Sequence, residues 1–419
     1  MHVVFVHRHG PGQFVHIARR LILDGWTVTL VCESTDRPVP GLRVLRYGSA
    51  DTGAHGRRDR KEASIPYIEA GRRVADILSR LSLHGRAPDL VVGHIAWGGM
   101  MFVKDALPDT PVIGFCEYYF HPQGGDAGFA PSDEISLERR QTMRLRNTVQ
   151  LATLDQMDYG ISPTIWQKSR YPAEYRNKIV AQHEGIDTSR ARPDALASFR
   201  LPDGTLLSAG DPVVTFAARD LEPYRGFPQF MRAAAAVGKR NPDVRFVIAG
   251  GDGISYGSGP QGGDSWRKQL LEETGLSPDK VHFLGQIPHR DLVRLFQVTA
   301  AHVYLTYPFV LSWSFLEAMS CGAPVIASAT PPVREVVSDG INGRLVDFFD
   351  IDGFADKIED ALANPDTFRP LRTEARRTIV SRYELNDCCA KLHRFMLQVA
   401  AKRQETPSVQ QDPAVPLNA

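Results

Sequence analysis

Short runs of β-branched and aromatic residues alternate along this chain with longer segments in which apolar residues recur every three or four positions. The first pattern predicts buried strands and the second amphipathic helices. His2 to His7 (HVVFVH) predicts a strand, Gln13 to Leu23 a helix with Phe14, Ile17, Ala18 and Leu21 on one face, and Trp26 to Cys32 the next strand. That opening implies a parallel sheet joined by right-handed crossovers. Further on, Ile65 to Leu83 predicts a helix, Asp89 to Gly93 and Pro111 to Glu117 strands, and Asp133 to Ala152 a charged helix. Two more strands are expected near Tyr159 and over Lys178 to Gln182, after which HEGIDTSRARPD reads as a linker.

The alternation then restarts. Strands are expected at Pro212 to Ala217, Val244 to Ala249, Val281 to Leu284 and His302 to Tyr307, with helices at Pro228 to Gly238 and Asp291 to Thr299. The run ISYGSGPQGGDSW is too rich in glycine for regular structure. Thr306 to Ser328 (TYPFVLSWSFLEAMSCGAPVIAS) completes a strand, helix, strand unit: Phe315, Leu316 and Met319 recur at helical spacing and Cys321-Gly322 stops the helix. The amino terminus of such a helix presents free backbone N–H groups, which suit a phosphate. Two helices close the pattern, at Ile351 to Ala363 and Cys388 to Arg403.

At 419 residues the chain suits two domains of about 150 to 200 residues each. Its net charge of +1 supplies no whole-molecule field for nucleic acid, and no basic stripe is interleaved with aromatics, so no nucleic-acid partner is expected. Five scattered cysteines without zinc spacing fit a reducing, cytoplasmic setting. No run of 18 apolar residues occurs and the opening strand does not read as a cleavable leader, so neither a secreted nor a membrane-spanning chain is expected. Tyr47 to Glu62, centred on HGRRDRKE, reads as a solvated loop; its alternative partner is an anionic acceptor or a lipid headgroup, which would make the chain peripheral at the inner face of a membrane.

Candidate chemistry gathers at the expected carboxyl ends of strands. His9-Gly10-Pro11-Gly12-Gln13-Phe14 imitates a dinucleotide loop with Glu33 downstream, yet Val15 stands where the third glycine belongs, so Gly10 and Gly12 are read as making room for a substrate. His94 ends a strand, where a side chain contacting substrate would stand, and Trp97 beside two glycines offers a sugar-stacking face or a core ring. Arg219 and Arg225 leave one connection and suit a diphosphate. Asp350-Ile351-Asp352 has a metal-holding form, but its place before a helix favours N-capping, and no metal is expected.

The order HRHGPGQF, HEGID, VVTFAARDLEPYRGF, VRFVIAGGDG, VHFLGQIP, FLEAMSCGAPVIAS and PPVREVVSDGINGRLV resembles the retaining glycosyltransferases of family 4, in a bacterial subgroup marked by LEPYRGF and TYPFVLSWS. The resemblance implies an α/β architecture of the GT-B kind: two doubly wound Rossmann-like domains facing a central cleft. The expected boundaries are 1–190 for an acceptor-side domain, 191–387 for a donor-binding domain, 388–403 for a helix returning to the first domain, and 404–419 for a disordered tail. By resemblance, Arg219 and Arg225 hold the donor diphosphate, Glu317 the ribose, His94 lies close to the transferred sugar and Gly12 faces sugar and acceptor. Ser312, Trp313 and Ser314, at the helix amino terminus, join them as donor-binding residues. One departure stands out: where the family carries a first glutamate, eight residues before the second, this chain has Phe309.

The implied activity is metal-independent transfer of a sugar from a nucleotide diphosphate sugar, used as co-substrate without further cofactor, to a hydroxyl of a glycan, lipid-linked glycan or small molecule. A nucleotide-sugar epimerase of the same fold and a catalytically silent nucleotide-sugar-binding subunit are the alternatives.

Overall fold

The computed structural model describes residues 1–35, 38–48, 65–260 and 262–405. Two parallel sheets organise it. β1 (His2–Gly10), β2 (Thr27–Thr35), β3 (Arg43–Arg46), β4 (Leu90–His94), β5 (Val112–Phe115), β6 (Tyr159–Ser162) and β7 (Ile179–Ala181) form the first, in the order β3-β2-β1-β4-β5-β6-β7. After an antiparallel hairpin of β8 (Ser198–Arg200) and β9 (Leu206–Ser208) comes the second sheet. It contains β10 (Val213–Asp220), β11 (Arg245–Gly251), β12 (Val281–Gly285), β13 (Ala301–Tyr304), β14 (Val325–Ser328) and β15 (Arg344–Val346), in the order β12-β11-β10-β13-β14-β15.

The first strand of each sheet is central. Val3 lies opposite both Val28 and Leu90, and Val214 opposite both Phe246 and Ala301. Both faces of these strands are covered, which is why they are continuous apolar runs. The direction of winding reverses between β1 and β4 in one sheet and between β10 and β13 in the other. Crevices open at the carboxyl ends of strands where that reversal occurs. This is the doubly wound, two-sheet architecture of the GT-B fold.

Helix Leu385–Glu405 returns to the first sheet. Its Cys389, Leu392, Met396, Val399 and Ala400 join Val3, Phe5, Ile17 and Leu21 in one core. The two chain crossings run side by side, with Ile186 N donating to Tyr383 O at 2.7 Å and Leu385 N to Ile186 O at 3.0 Å. Gly185 adopts φ +99°, and a Cβ there would stand 2.7 Å from Leu385 Cα. Only glycine meets both conditions without strain.

Several elements differ from the expected pattern. β3, the β8–β9 hairpin and β15 are too short to announce themselves. Helix Trp266–Thr274 begins as the glycine-rich run ends, Ser265 Oγ capping it by accepting from Lys268 N at 3.3 Å. Helix Pro365–Tyr383 is hidden by Pro370 and a dense charge pattern, yet Phe368, Leu371, Ala375, Ile379 and Tyr383 are buried along it. The returning helix continues two residues past Arg403, so the expected tail begins late; its remainder lies outside the described residues. Residues 49–62 of the basic segment also lie outside them, so its proposed lipid contact rests on sequence alone. No described helix is long and apolar enough to cross a membrane.

Candidate active site

The crevice of the second sheet is bounded by the connections after β10 and β13. Arg219, next to last in β10, is exposed, and its guanidinium has no hydrogen bond or ion pair among the described residues. Arg225 is buried instead. Its Nη1 donates to Thr306 Oγ1 at 2.8 Å, Val310 O at 2.9 Å and Tyr304 OH at 3.3 Å, and its guanidinium lies 5.3 Å from the Tyr256 ring centre. The two arginines expected to work as a pair therefore stand in different settings: one is open to a ligand, the other braces the loop 306–310. The fully buried Glu222 carboxylate accepts from Tyr256 N at 3.1 Å and Gly257 N at 2.9 Å, which ties the glycine-rich connection after β11 to the same wall.

Helix Trp313–Ser320 starts at this crevice. Ser312 occupies its N-cap position but makes no side-chain cap; its Oγ pairs with Ser314 Oγ at 2.5 Å. The first-turn N–H groups thus receive no capping oxygen from Ser312, which leaves them for an anion. Glu317, one turn on, accepts at Oε1 from His289 Nε2–H at 2.7 Å. That hydrogen bond raises the His289 pKa above its ordinary value, against the pull of burial.

Phe309 is buried among aromatic rings. Its ring centre lies 4.6 Å from that of Tyr118, 5.0 Å from Tyr256 and 5.8 Å from Tyr224. Asp126 clamps this cluster from the first half of the chain, accepting from Tyr118 OH and Tyr224 OH, both at 2.7 Å. Nearby, Phe129 packs on Tyr307, Phe348 and Phe349. An apolar ring at 309 thus belongs to a joint between the two sheets' loops.

The crevice of the first sheet is wired by side chains. His94 is buried at the end of β4; its Nδ1 accepts from Ala96 N at 3.2 Å and its Nε2–H donates to Glu117 Oε2 at 3.3 Å. Gln13 Nε2 donates to Glu117 Oε1 at 2.6 Å, and Gln13 Oε1 accepts from His7 Nε2–H at 2.9 Å. Gly12, at φ +53°, passes so close to His7 that a Cβ would fall 2.6 Å from the imidazole. Burial, aided by the neighbouring His94, pushes the His7 pKa down to about 3. Burial pushes the other way on Glu117, but hydrogen bonding and charge from His94, with smaller contributions from His7 and Gln13, leave its pKa below the ordinary value.

Glu184, on the linker between the sheets, contrasts with Glu117. Burial raises its pKa to about 8, although a hydrogen bond from Trp313 opposes the shift, and its Oε2 has no hydrogen-bond partner. His16 also approaches from the first half, its ring centre 5.7 Å from that of Trp313. The two crevices accordingly meet across one cleft. His7, Gln13, Glu117 and Glu184 escaped sequence reasoning; a glutamate closing the run PVIGFCE was the one available signal.

Two family descriptions match successive parts of the chain. Residues 24–191 match the Glycosyl transferase family 4 group and residues 201–378 the Glycosyl transferases group 1. The chain belongs to the family 4 glycosyltransferases. Among curated members, the D-inositol 3-phosphate glycosyltransferase of Mycobacterium sp. (strain KMS) is 32% identical over 203 residues, 48% of this chain and 44% of that protein. Its counterpart from Mycolicibacterium smegmatis is 33% identical over 191 residues, 45% and 40% of the respective chains. The chain thus spans less than half the length of these curated relatives.

Solved structures share the fold over nearly the whole chain. Sucrose-phosphate synthase from Thermosynechococcus elongatus superposes with a TM-score of 0.71 at 20% identity, covering 96% of this chain and 100% of that one. HepE from Anabaena in complex with UDP and glucose gives 0.68 at 15% identity, covering 95% and 100%. Asp350 of the D-x-D run caps helix Ile351–Ala363, accepting from Gly353 N at 2.8 Å. No group of three or more His, Cys, Asp or Glu side chains able to hold a metal occurs among the described residues.

Proposed function

We propose that this glycosyltransferase moves a sugar from a nucleoside diphosphate sugar to an acceptor hydroxyl with retention of anomeric configuration. The observation that carries the reading is the uncapped amino terminus of helix Trp313–Ser320, at the same switch crevice as the exposed Arg219. In the reaction the acceptor oxygen bonds to the anomeric carbon, the bond from that carbon to the phosphate oxygen breaks, and the departing phosphate takes the hydroxyl proton. Negative charge builds on the leaving diphosphate. Arg219 and the N–H groups of Trp313 and Ser314 supply fixed positive potential for it, so the transfer is read as metal-independent. Arg225 contributes by holding the loop 306–310, and Glu317 receives the ribose hydroxyls.

The binding of UDP by HepE makes uridine the first base to test, and the relatives named for D-inositol 3-phosphate support a hydroxyl-rich acceptor. An epimerase or a silent subunit is not favoured, because both family descriptions are of transferases. The test is the melting temperature of the full chain with UDP, GDP, ADP and dTDP. One of these raises it, and Arg219→Ala and Glu317→Ala each shrink the shift. With the matching donor, Arg219→Ala lowers turnover about 10²- to 10³-fold. Undiminished nucleotide binding in both variants would sink the site assignment.

A further inference from the structure

Glu117 follows β5, next to β4 and the first switch crevice, and has no role in the transfer described above. We propose that Glu117 is the acceptor-binding residue: its carboxylate accepts a hydrogen bond from an acceptor hydroxyl, in a setting that selects an uncharged, polyhydroxylated ring. The proposal rests on the transferase reading and adds to it a class of acceptor.

The hydrogen bonding leaves room for such a ligand. An ionised carboxylate offers about four lone-pair sites on its two oxygens. Gln13 uses one on Oε1 and His94 one on Oε2, so each oxygen keeps capacity for a further donor. The carboxylate is also reachable: the Glu117 side chain is 28% exposed, whereas that of His94 is 1% exposed. Gln167 Nε2 fixes its backbone by donating to Glu117 O at 2.7 Å.

Charge then decides what is bound. His7 Nδ1 accepts from His9 N at 3.0 Å and His94 Nδ1 accepts from Ala96 N, so each imidazole directs its Nε2–H into the network. Arg8, the cation on β1, is paired with Glu33 at 2.9 Å and lies 5.8 Å from the Trp97 ring centre. Glu117 therefore presents a carboxylate with one hydrogen bond on each oxygen, from Gln13 and His94. A hydroxyl gains a charge-assisted hydrogen bond there. A phosphate in the same position sets its anionic oxygens against the carboxylate oxygens and meets repulsion.

The test uses saturation-transfer NMR on the full chain, with the nucleoside diphosphate that stabilises it most. The probes are myo-inositol, methyl α-mannopyranoside and methyl β-glucopyranoside, with myo-inositol 1-phosphate as the charged counterpart. At least one neutral probe is expected to bind more tightly than the phosphate. Its affinity should fall about 10-fold in Glu117→Gln, which keeps the shape, and less in Gln13→Leu, which only releases the carboxylate. The nucleotide-induced melting shift should survive in both variants and reports that they fold. Equal binding of the neutral probe to wild type and Glu117→Gln overturns the proposal, as do preference for the phosphate and failure of every neutral probe while the nucleotide binds. Loss of the nucleotide shift in Glu117→Gln places the residue on the donor side and overturns it too. Failure of all nucleotides in the wild type instead overturns the transferase reading on which it rests.

Discussion

The two crevices arise from the same topology and are furnished in opposite ways. At the second sheet the candidate ligand groups are backbone N–H groups at a helix end and one unpaired arginine; the surrounding side chains, Arg225 and Glu222, are spent on holding loops. At the first sheet the loops are plain, and the chemistry lies in a chain of hydrogen bonds from His7 through Gln13 to Glu117 and His94. A diphosphate has diffuse charge and suits many weak donors on a rigid frame. A hydroxyl needs one acceptor oxygen correctly aimed. One crevice thus carries its candidate ligand groups mainly on backbone geometry and the other on single side chains.

The severest challenge to this contrast is Phe309→Glu, which restores the carboxylate that the family pattern places in the donor crevice. Since Phe309 is packed among three tyrosines, loss of its ring alone costs about 3–5 kcal/mol, before any desolvation of the new carboxylate. Chemical denaturation should show the destabilisation, with no tightening of nucleotide-sugar binding. A stable variant that binds donor more strongly would mean that position 309 faces the sugar after all.

Glu184, between the crevices, gives a smaller and pH-dependent effect. The unfolded residue ionises near 4.5, while burial lets the folded one keep its proton to about 8. Across that window the folded state binds more protons, so stability falls as pH rises, by at most about 1.4 kcal/mol per unit. His183, pushed down to about 4 by burial, acts in the opposite sense below 6.5 and does not offset Glu184 above it. His289, with its pKa raised by Glu317, adds to the fall as pH rises through its folded value. Urea midpoints of the wild type should therefore drop between pH 6.5 and 8, and Glu184→Gln should flatten most of that drop. An equal slope in the variant would show that Glu184 is ionised in the fold.

The mildest perturbation is His289→Ala. The His289 side chain is 54% exposed, and an ion pair in such a setting contributes about 0.2–1 kcal/mol. Calorimetric affinity for the nucleoside diphosphate should change by less than about five-fold. A larger loss would make His289 a nucleotide contact and blur the picture of a donor crevice built mainly from backbone.

Legibility in the sequence followed the same division. The alternating strands and helices of both sheets were readable because each element carries its own period. The tight turn at Gly12 and the helix start at Ser312 to Ser314 were readable as local structure because each lies in one contiguous stretch. Gln13 and Glu117 are 104 positions apart and Asp126 and Tyr224 are 98 apart, and nothing local to either member announces the partnership. Arg219 and Arg225 looked equivalent because burial, which separates them, is a property of the assembled loops. Phe309 looked like a lost carboxylate because the tyrosines that receive its ring come from three other segments.

The returning helix Leu385–Glu405 has a further consequence, for synthesis. The apolar flank of β1, including Val3, Phe5, Ile17 and Leu21, is sealed by Leu392, Met396 and Val399 from the far end of the described chain. At translation rates of about 5–20 residues per second, that flank waits on the order of tens of seconds after emerging from the ribosome. The sheet that is translated first is therefore among the last parts of the molecule to be closed.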